Sequence, residues 1–513
     1  MAASAPVDEK LNTGLRWSIL RQGITALVGS LGALAYTRYL QPEELGAFAL
    51  ALIVYAGLLL LVQAPFRDAV IYFQHEEEDF ASAAFWLLSG LALAAFVMVQ
   101  ALAGWLGGFY DSPEAASLTR VISYAFLLQA VAVVPAALLL KQFRFAQHEI
   151  VNVITFFILL AGWLLLAPRG FGAWTLIYPQ LVAGAFYAGA VWWLSRFRPC
   201  WRPDWAVFSR LLGYSRSLLG SKLAIYLQRN LDNALIGRFG TQTLGWYTFG
   251  EDQSAAIVLG VGHTIAQITL PALAAVQEQW AEIRRILGEM LRLALVVGLP
   301  AHVGAFVLAD VAVALLFGEQ WAGGVPILRA YLALRAVETL AVIGDAATSA
   351  IGRPEIRLRV DWLQLPVFAL TLVMGLLIRL DIVTLSWLLA AVRLSFLVVY
   401  LRWTLQAATL AARDLLRAAA PATVAALLMG LVVYGLRLAL GPTGAIGPDL
   451  LRLGVTVVAG ILVYVLLLCG LDPAGTRAIY WQLSAILLPP TTSARLARYP
   501  RLARFFTSPD EPR

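Results

Sequence analysis

Charge is scarce in this sequence: 13% of its 513 residues are Asp, Glu, Lys or Arg, against about 25% in an average soluble domain. Lysine is confined to Lys10, Lys141 and Lys222, and histidine occurs four times. The two cysteines, Cys200 and Cys469, lie far apart and belong to no spaced cluster, which argues against a disulfide framework or a thiolate metal site. No Walker loop, nucleophile elbow or metal-ligand spacing occurs, so no catalytic residue, metal or cofactor is expected. Long polar connections are lacking too, and with them room for a separately folded soluble domain.

What the chain has instead is hydrophobic surface, with 60% of its residues apolar. A spanning helix needs about 20 apolar residues to cross a hydrocarbon layer of about 30 Å. Roughly fourteen such runs follow one another, beginning with 15–38 and 46–73 and ending with 415–437 and 449–470. The expected fold class is therefore an all-α polytopic membrane protein. The residues up to Lys10 are polar and the first apolar run, Leu15 to Leu40, is too long for a signal-peptide core, so the start reads as mature protein.

The formal net charge of +7 would suggest nucleic acid in a soluble protein. Here it reads as basic cytoplasmic loops, and no nucleic-acid partner is expected. Connections placed inside carry Lys141 with Arg144, Arg196 with Arg198 and Arg202, Arg284 with Arg285, Arg353 with Arg357 and Arg359, and Arg413 with Arg417. Those placed outside carry mostly one each, such as Arg38, Arg169, Arg238 and Arg379. This bias puts both termini in the cytoplasm. Beyond Asp472, an amphipathic stretch around Ile479–Leu488, a Pro489-Pro490 break and Arg495, Arg498, Arg501 and Arg504 suit either a helix on the anionic leaflet or a basic topogenic tail.

The chain also repeats itself. Arg38-Tyr39 precedes Leu45-Gly46, and Arg238-Phe239 precedes Leu244-Gly245; Phe109 precedes Leu118-Thr119-Arg120, and Phe317 precedes Ile327-Leu328-Arg329. With an even number of spans per unit, the repeats share one orientation and give two six-helix lobes. The expected organisation is an N-terminal lobe over 1–205, a C-terminal lobe over 206–408, two further helices over 409–472, and a cytoplasmic tail over 473–513.

A charge near the centre of a span costs about 2.5–3.5 kcal/mol on the insertion scale, so such charges face a cavity or a partner. Arg21 lies in the first run and Arg67-Asp68 follows Pro65 at the end of the second. In the seventh, Lys222, Tyr226, Arg229 and Asn233 share a helical face, with Asp232 one turn from Arg229. Asp252, His263 and Gln267 form a stripe in the eighth, with Glu251 beside it, and Arg335, Glu338 and Asp345 share a face of the tenth. Two readings stand side by side. The pairs Arg229–Asp232 and Arg335–Glu338 can simply neutralise one another and fix packing. Alternatively, Arg21, Arg67, Lys222, Arg229 and Arg335 line a cationic cavity, with Asp68, Asp232, Asp252, Glu338 and Asp345 as partners or proton acceptors.

The repeat residues also carry a resemblance. Gly14 with Trp17-Ser18, Arg38-Tyr39-Leu40-Gln41-Pro42-Glu43-Glu44-Leu45-Gly46, Glu78-Asp79 with Ala84-Phe85-Trp86, Phe171-Gly172-Ala173-Trp174, Ile236-Gly237-Arg238-Phe239 with Leu244-Gly245-Trp246-Tyr247, Pro271-Ala272-Leu273 and Leu316-Phe317-Gly318-Glu319-Gln320-Trp321 occur in order from the first span into the tenth. In this the chain resembles the polysaccharide flippases of the multidrug, oligosaccharidyl-lipid and polysaccharide exporter superfamily. It departs from their pattern at Pro65-Phe66-Arg67-Asp68, where a glycine-containing, less charged segment is expected, and that bears on the substrate subgroup.

The resemblance implies a multi-pass protein of the bacterial inner membrane that turns a polyprenyl-diphosphate-linked oligosaccharide between leaflets by alternating access. Membrane lipids, a polysaccharide polymerase and export machinery are the partners it implies. Energy would come from an ion gradient or from downstream consumption. A drug or cation antiporter of the same superfamily should have a cavity dominated by unpaired carboxylates, whereas acids here accompany arginines. A polysaccharide polymerase or ligase should have a sizeable outer loop, whereas Pro42-Glu43-Glu44 looks like an ordinary acidic helix start. Neutralising Arg21 and Lys222 is expected to reduce polysaccharide export at unchanged expression; export that stays at the parental level would remove these two from anion binding.

Overall fold

In a computed structural model of the chain, the described residues are 32–62, 77–200, 229–257, 262–276, 279–441 and 445–473, with 29, 70, 223, 226, 227 and 260. Among them no strand occurs. Hydrocarbon offers backbone groups no partners, and a helix satisfies all its interior N–H and C=O groups within one segment. The helices are α1 (Pro42–Val62), α2 (Glu77–Phe109), α3 (Pro113–Lys141), α4 (Phe145–Leu166), α5 (Trp174–Ser195), α6 (Thr241–Ile257), α7 (His263–Ala274), α8 (Trp280–Leu316), α9 (Val325–Ala350), α10 (Glu355–Leu377), α11 (Ile382–Ala407), α12 (Ala412–Leu440) and α13 (Ile446–Leu471).

Nine helices among the described residues are long and apolar enough to cross a membrane, and the chain is a multi-pass membrane protein. α9 is not among the nine. Its 26 residues would reach about 39 Å at about 1.5 Å each, but Arg329, Arg335, Glu338 and Asp345 dilute its hydropathy. The runs expected at 15–38 and 209–237 fall largely outside the described residues. The run expected at 244–270 is divided into α6 and α7, with π-helical geometry at Gly260 and Gly262, residues of low helix propensity. α8 begins well before its apolar run, so Arg284 and Arg285 lie on a helix rather than in a loop. There Arg285 pairs with Glu282 and, at 2.8 Å, with Glu289.

The turns follow from local chemistry. Ser112 caps α3 by accepting from the Ala115 N–H at 3.2 Å, with Pro113 in the first turn. At the start of α1, Glu44 reaches back to accept from the Gln41 N–H at 2.7 Å, as a capping-box acid does. The acidic Pro42-Glu43-Glu44 start is thus a helix cap in its geometry.

The chain falls into two compact units: Met1–Gly250 with Leu316–Gly324 and Leu365–Leu385, and Glu251–Leu315 with Val325–Gln364 and Ser386–Arg513. In the first, α3 is the central helix, packed against α1, α2 and α5, while α4 lies against α5. Polar side chains tie these helices together. The Tyr55 hydroxyl accepts from Gln129 at 2.7 Å and Gln180 at 3.3 Å, joining α1, α3 and α5. Arg144 donates to the Leu194 carbonyl at 2.7 Å, and Trp192 to that of Val131 at 2.9 Å.

In the second unit the last two helices are fixed to α8 at three levels. Arg292 pairs with Asp472, the buried Tyr464 hydroxyl donates to the Val296 carbonyl at 2.8 Å, and Arg437 pairs with Asp310 at 2.5 Å. Between these, α12 approaches closely at Gly430, where a Cβ would meet the Val303 side chain at 2.7 Å. These helices lie outside the sequence repeat yet share one apolar core with α8.

Small residues set the closest approaches in the first unit as well. A Cβ at Gly162 would overlap the Pro179 ring, with its Cγ at 2.5 Å, so α4 and α5 touch there because Gly162 has no side chain. Gly162→Leu is expected to destabilise the protein by about 1–3 kcal/mol, the usual cost of overpacking, read as a lower melting temperature of the purified protein in detergent.

Candidate functional site

The second unit gathers charges that hydrocarbon would reject singly. Arg335 and Glu338 lie one turn apart on α9 and pair at 2.5 Å. Glu251 on α6 receives Arg393 of α11 at 2.8 Å and has Arg335 at 3.7 Å, so one carboxylate serves two guanidinium groups. All three side chains are nearly enclosed, with exposures of 12% for Arg335 and 16% for Glu251 and Arg393. Arg335 also donates to the Ser254 hydroxyl at 3.4 Å, and Arg393 lies over the Tyr331 ring at 5.6 Å.

Two turns further along α9 comes a second cluster. Asp345 accepts from the Tyr400 hydroxyl of α11 at 2.6 Å and has Arg357 of α10 at 3.7 Å. Arg357 donates through its Nε to both oxygens of Asp361, at 2.9 and 3.1 Å, and stacks over the Tyr400 ring at 5.1 Å. The two clusters therefore run along one side of α9, linked to α6, α10 and α11.

Charge balance distinguishes them. Arg335 and Arg393 against Glu251 and Glu338 sum to zero, and Arg357 against Asp345 and Asp361 to minus one. Such pairing offsets desolvation without leaving a bare charge. It also means that an incoming anion must compete with carboxylates for guanidinium groups that are already oriented. Arg–carboxylate and Arg–phosphate contacts use the same planar donor fork, so such an exchange needs little rearrangement.

Of the residues singled out from sequence, Arg335 and Glu338 pair directly, and Asp345 joins the same side of α9. Arg21, Arg67, Asp68 and Lys222 lie outside the described residues. Arg229 is exposed, whereas Asp232 is fully buried in the first unit, where its carboxylate accepts from the Tyr247 hydroxyl at 2.9 Å. Asp252 on α6 and His263 and Gln267 on α7 are exposed. Sequence reasoning missed Arg393, which lies in an otherwise plain apolar run, and Tyr400. It also assigned Arg357 to a connection rather than to a cluster. The signal for Arg393 was available, since an isolated arginine deep in a span implies a partner. Among the described residues, no group of three His, Cys, Asp or Glu side chains could hold a metal ion.

Residues 35–326, more than half of the chain, match the family described as polysaccharide biosynthesis protein. The chain belongs to this family. Its relatives include the succinoglycan biosynthesis transport protein ExoT of Rhizobium meliloti (strain 1021), 28% identical over 322 residues that cover 61% of this chain and 63% of that protein. The match thus spans just under two thirds of ExoT. The teichuronic acid biosynthesis protein TuaB of Bacillus subtilis (strain 168) is 24% identical over 420 residues, covering 80% of this chain and 85% of that protein. Among solved structures, the lipid II flippase MurJ in an inward closed conformation superposes with a TM-score of 0.70 over 89% of this chain and 98% of that chain, at 13% identity. At that identity the likeness concerns the fold.

Within this family member, Glu251 should be coupled to its arginines. Arg393→Gln leaves the carboxylate with one distant partner and is expected to destabilise the protein by about 3 kcal/mol. Adding Glu251→Gln should recover most of that loss, a coupling read from thermal unfolding of the single and double variants.

Proposed function

We propose that this protein carries a polyprenyl-diphosphate-linked oligosaccharide from the cytoplasmic to the outer leaflet of a bacterial inner membrane, for assembly of a cell-surface polysaccharide. The observation that carries the proposal is the Arg335–Arg393 pair held on Glu251 among the helices of the second unit of a polysaccharide biosynthesis family member. A diphosphate-sugar head group cannot cross hydrocarbon unaided, whereas guanidinium forks can replace its water while the polyprenyl tail stays in lipid. ExoT, by its name, is a transport protein of succinoglycan biosynthesis, in keeping with a transport step in such a pathway. From the sequence, roles in anion binding are proposed as well for Arg21, Arg67, Lys222 and Arg229 beside Arg335. Asp68, Asp232, Asp252, Glu338 and Asp345 then serve as partners or proton acceptors.

In this reading the balanced cluster of Arg335 and Arg393 with Glu251 and Glu338 sets the order of events. The head group's diphosphate displaces Glu251 from Arg393 and Arg335, and release on the far side lets the carboxylate return. The site therefore discharges its ligand without exposing a bare guanidinium to hydrocarbon. Two six-helix lobes over 1–205 and 206–408, with both termini cytoplasmic, are the proposed frame for alternating access. A polymerase and export machinery would take the product onward. The drug-antiporter alternative asks for unpaired carboxylates, and the acids of this network, Glu251, Glu338, Asp345 and Asp361, are each paired with arginine.

Deleting the gene should abolish the surface polysaccharide and leave its lipid-linked repeat unit in the cytoplasmic leaflet, and the wild-type gene should restore export. Arg335→Ala and Arg393→Ala should each reduce restoration at least tenfold, with Arg393→Lys intermediate because lysine lacks the bidentate fork. Undiminished polysaccharide in the deletion strain, or full restoration by both alanine variants, would contradict the proposal.

A further inference from the structure

The two copies of the sequence repeat hold each other. Arg38 donates to the Leu316 carbonyl at 3.4 Å, next to Phe317, and its own carbonyl accepts from Gln320 at 3.0 Å. Its counterpart Arg238 donates to the carbonyl of Phe109, the counterpart of Phe317, and lies over the Phe109 ring at 4.7 Å. Each repeat arginine thus grips the turn at the end of the other half's third span. Around the Arg238 grip, the Tyr110 hydroxyl donates to the Ala234 carbonyl at 2.9 Å. Leu50 of α1 faces Gly237, where a Cβ would meet it at 2.7 Å.

The glycines of the repeat are reciprocal in the same way. A Cβ on Gly46 would overlap the Thr241 carbonyl oxygen, and one on Gly245 the Pro42 carbonyl oxygen. The first turns of α1 and α6 therefore cross in backbone contact. A backbone atom cannot give way as a side chain can, so any larger residue at either position forces the two helix starts apart. Inside this crossing sits an aromatic plug. Phe249 stacks on the fully buried Trp321 at 4.5 Å and meets Phe317 edge-on at 5.0 Å, and Trp321 donates to the Thr37 carbonyl at 3.0 Å.

We propose that this reciprocal clasp is a gate: it closes one membrane face of the protein by joining the two repeat halves, and it opens in each transport cycle. The chemistry suits a contact that must part and re-form. Arg38, Arg238 and Gln320 hold carbonyl groups at exposed positions, where water can take over each of these bonds. The glycine crossing supplies fit without a covalent or ionic lock. The sequence repeat thereby gains a mechanical role beyond internal symmetry, because it gives each half the same arginine and the same glycine with which to close on the other. The cycle rests on the transport reading above, but opening itself can be observed without transport.

A single reporter, Leu50→Cys, in a variant carrying Cys200→Ser and Cys469→Ser should react slowly with a membrane-impermeant maleimide. Adding Gly245→Leu should raise its labelling at least tenfold from one membrane face, identified by comparing intact cells with inverted vesicles. Should Gly245→Leu fail to accumulate, Arg38→Ala with Arg238→Ala should give the same direction of change, read in the same assay. In parallel, Arg38→Cys and Gln320→Cys joined by a bis-maleimide should export at least tenfold less than the same double variant left unjoined. Labelling that stays at the parental rate in both opened variants, or export that continues at full rate in the joined protein, would overturn the gate. Raised labelling in a protein whose deletion leaves polysaccharide export intact would keep the gate and discard the substrate assignment instead.

Discussion

A guanidinium group in hydrocarbon must find acceptors for its donors, and the described structure is organised around that requirement. Arginine supplies most of the positive charge of the chain, and many arginines lie on helices otherwise apolar enough to span. Each unmatched charge would cost several kcal/mol, so the helices that bear arginine are bound to those that bear acceptors. α8, α9 and α12 meet where Asp310 receives both Arg329 and Arg437. α6, α9 and α11 meet at Glu251. Electrostatic necessity here specifies which helices are neighbours, which apolar packing between lipid-like surfaces does weakly.

Two kinds of acceptor are used, and they imply different mechanics. Inside the second unit the arginines face carboxylates, and losing either partner strands a charge. At the turns of the first unit they face backbone carbonyls, which water can satisfy equally well. A contact of the first kind holds until something of like charge replaces the carboxylate. A contact of the second kind opens with little penalty. In the proposed cycle, anion exchange falls to the acid-bound arginines and movement to the carbonyl-bound ones.

Much of this was legible in the sequence, and the parts that were not share a cause. Apolar length marked the spans, and the Arg335, Glu338 and Asp345 spacing marked one face of α9, because helical periodicity is local. Arg393 and Tyr400 were not found because their partners, Glu251 and Asp345, are 142 and 55 residues away, and no spacing rule reaches that far. Arg357 was misread as a loop charge because α10 begins in a basic stretch and carries it into the cluster. The repeat was visible as recurring dipeptides, but a dipeptide does not say whether it binds its own half or the other. That required the crossing of Gly46 and Gly245.

The preference for arginine over lysine then has a structural component. Arg238 bonds a carbonyl with its donors while its plane covers the Phe109 ring. Arg393 bonds Glu251 while lying over Tyr331, and Arg357 bonds Asp361 while lying over Tyr400. A planar, weakly hydrated cation can do both at once, whereas a compact ammonium, strongly hydrated, would keep water or give up one contact. In a helix bundle short of room for water, that difference decides which cation can be placed beside an aromatic ring and still be released. Arg238 at a turn and Arg357 and Arg393 in the charge network therefore share one arrangement: the ring covers the cation's face, and the acceptor at its edge is the part that can be exchanged.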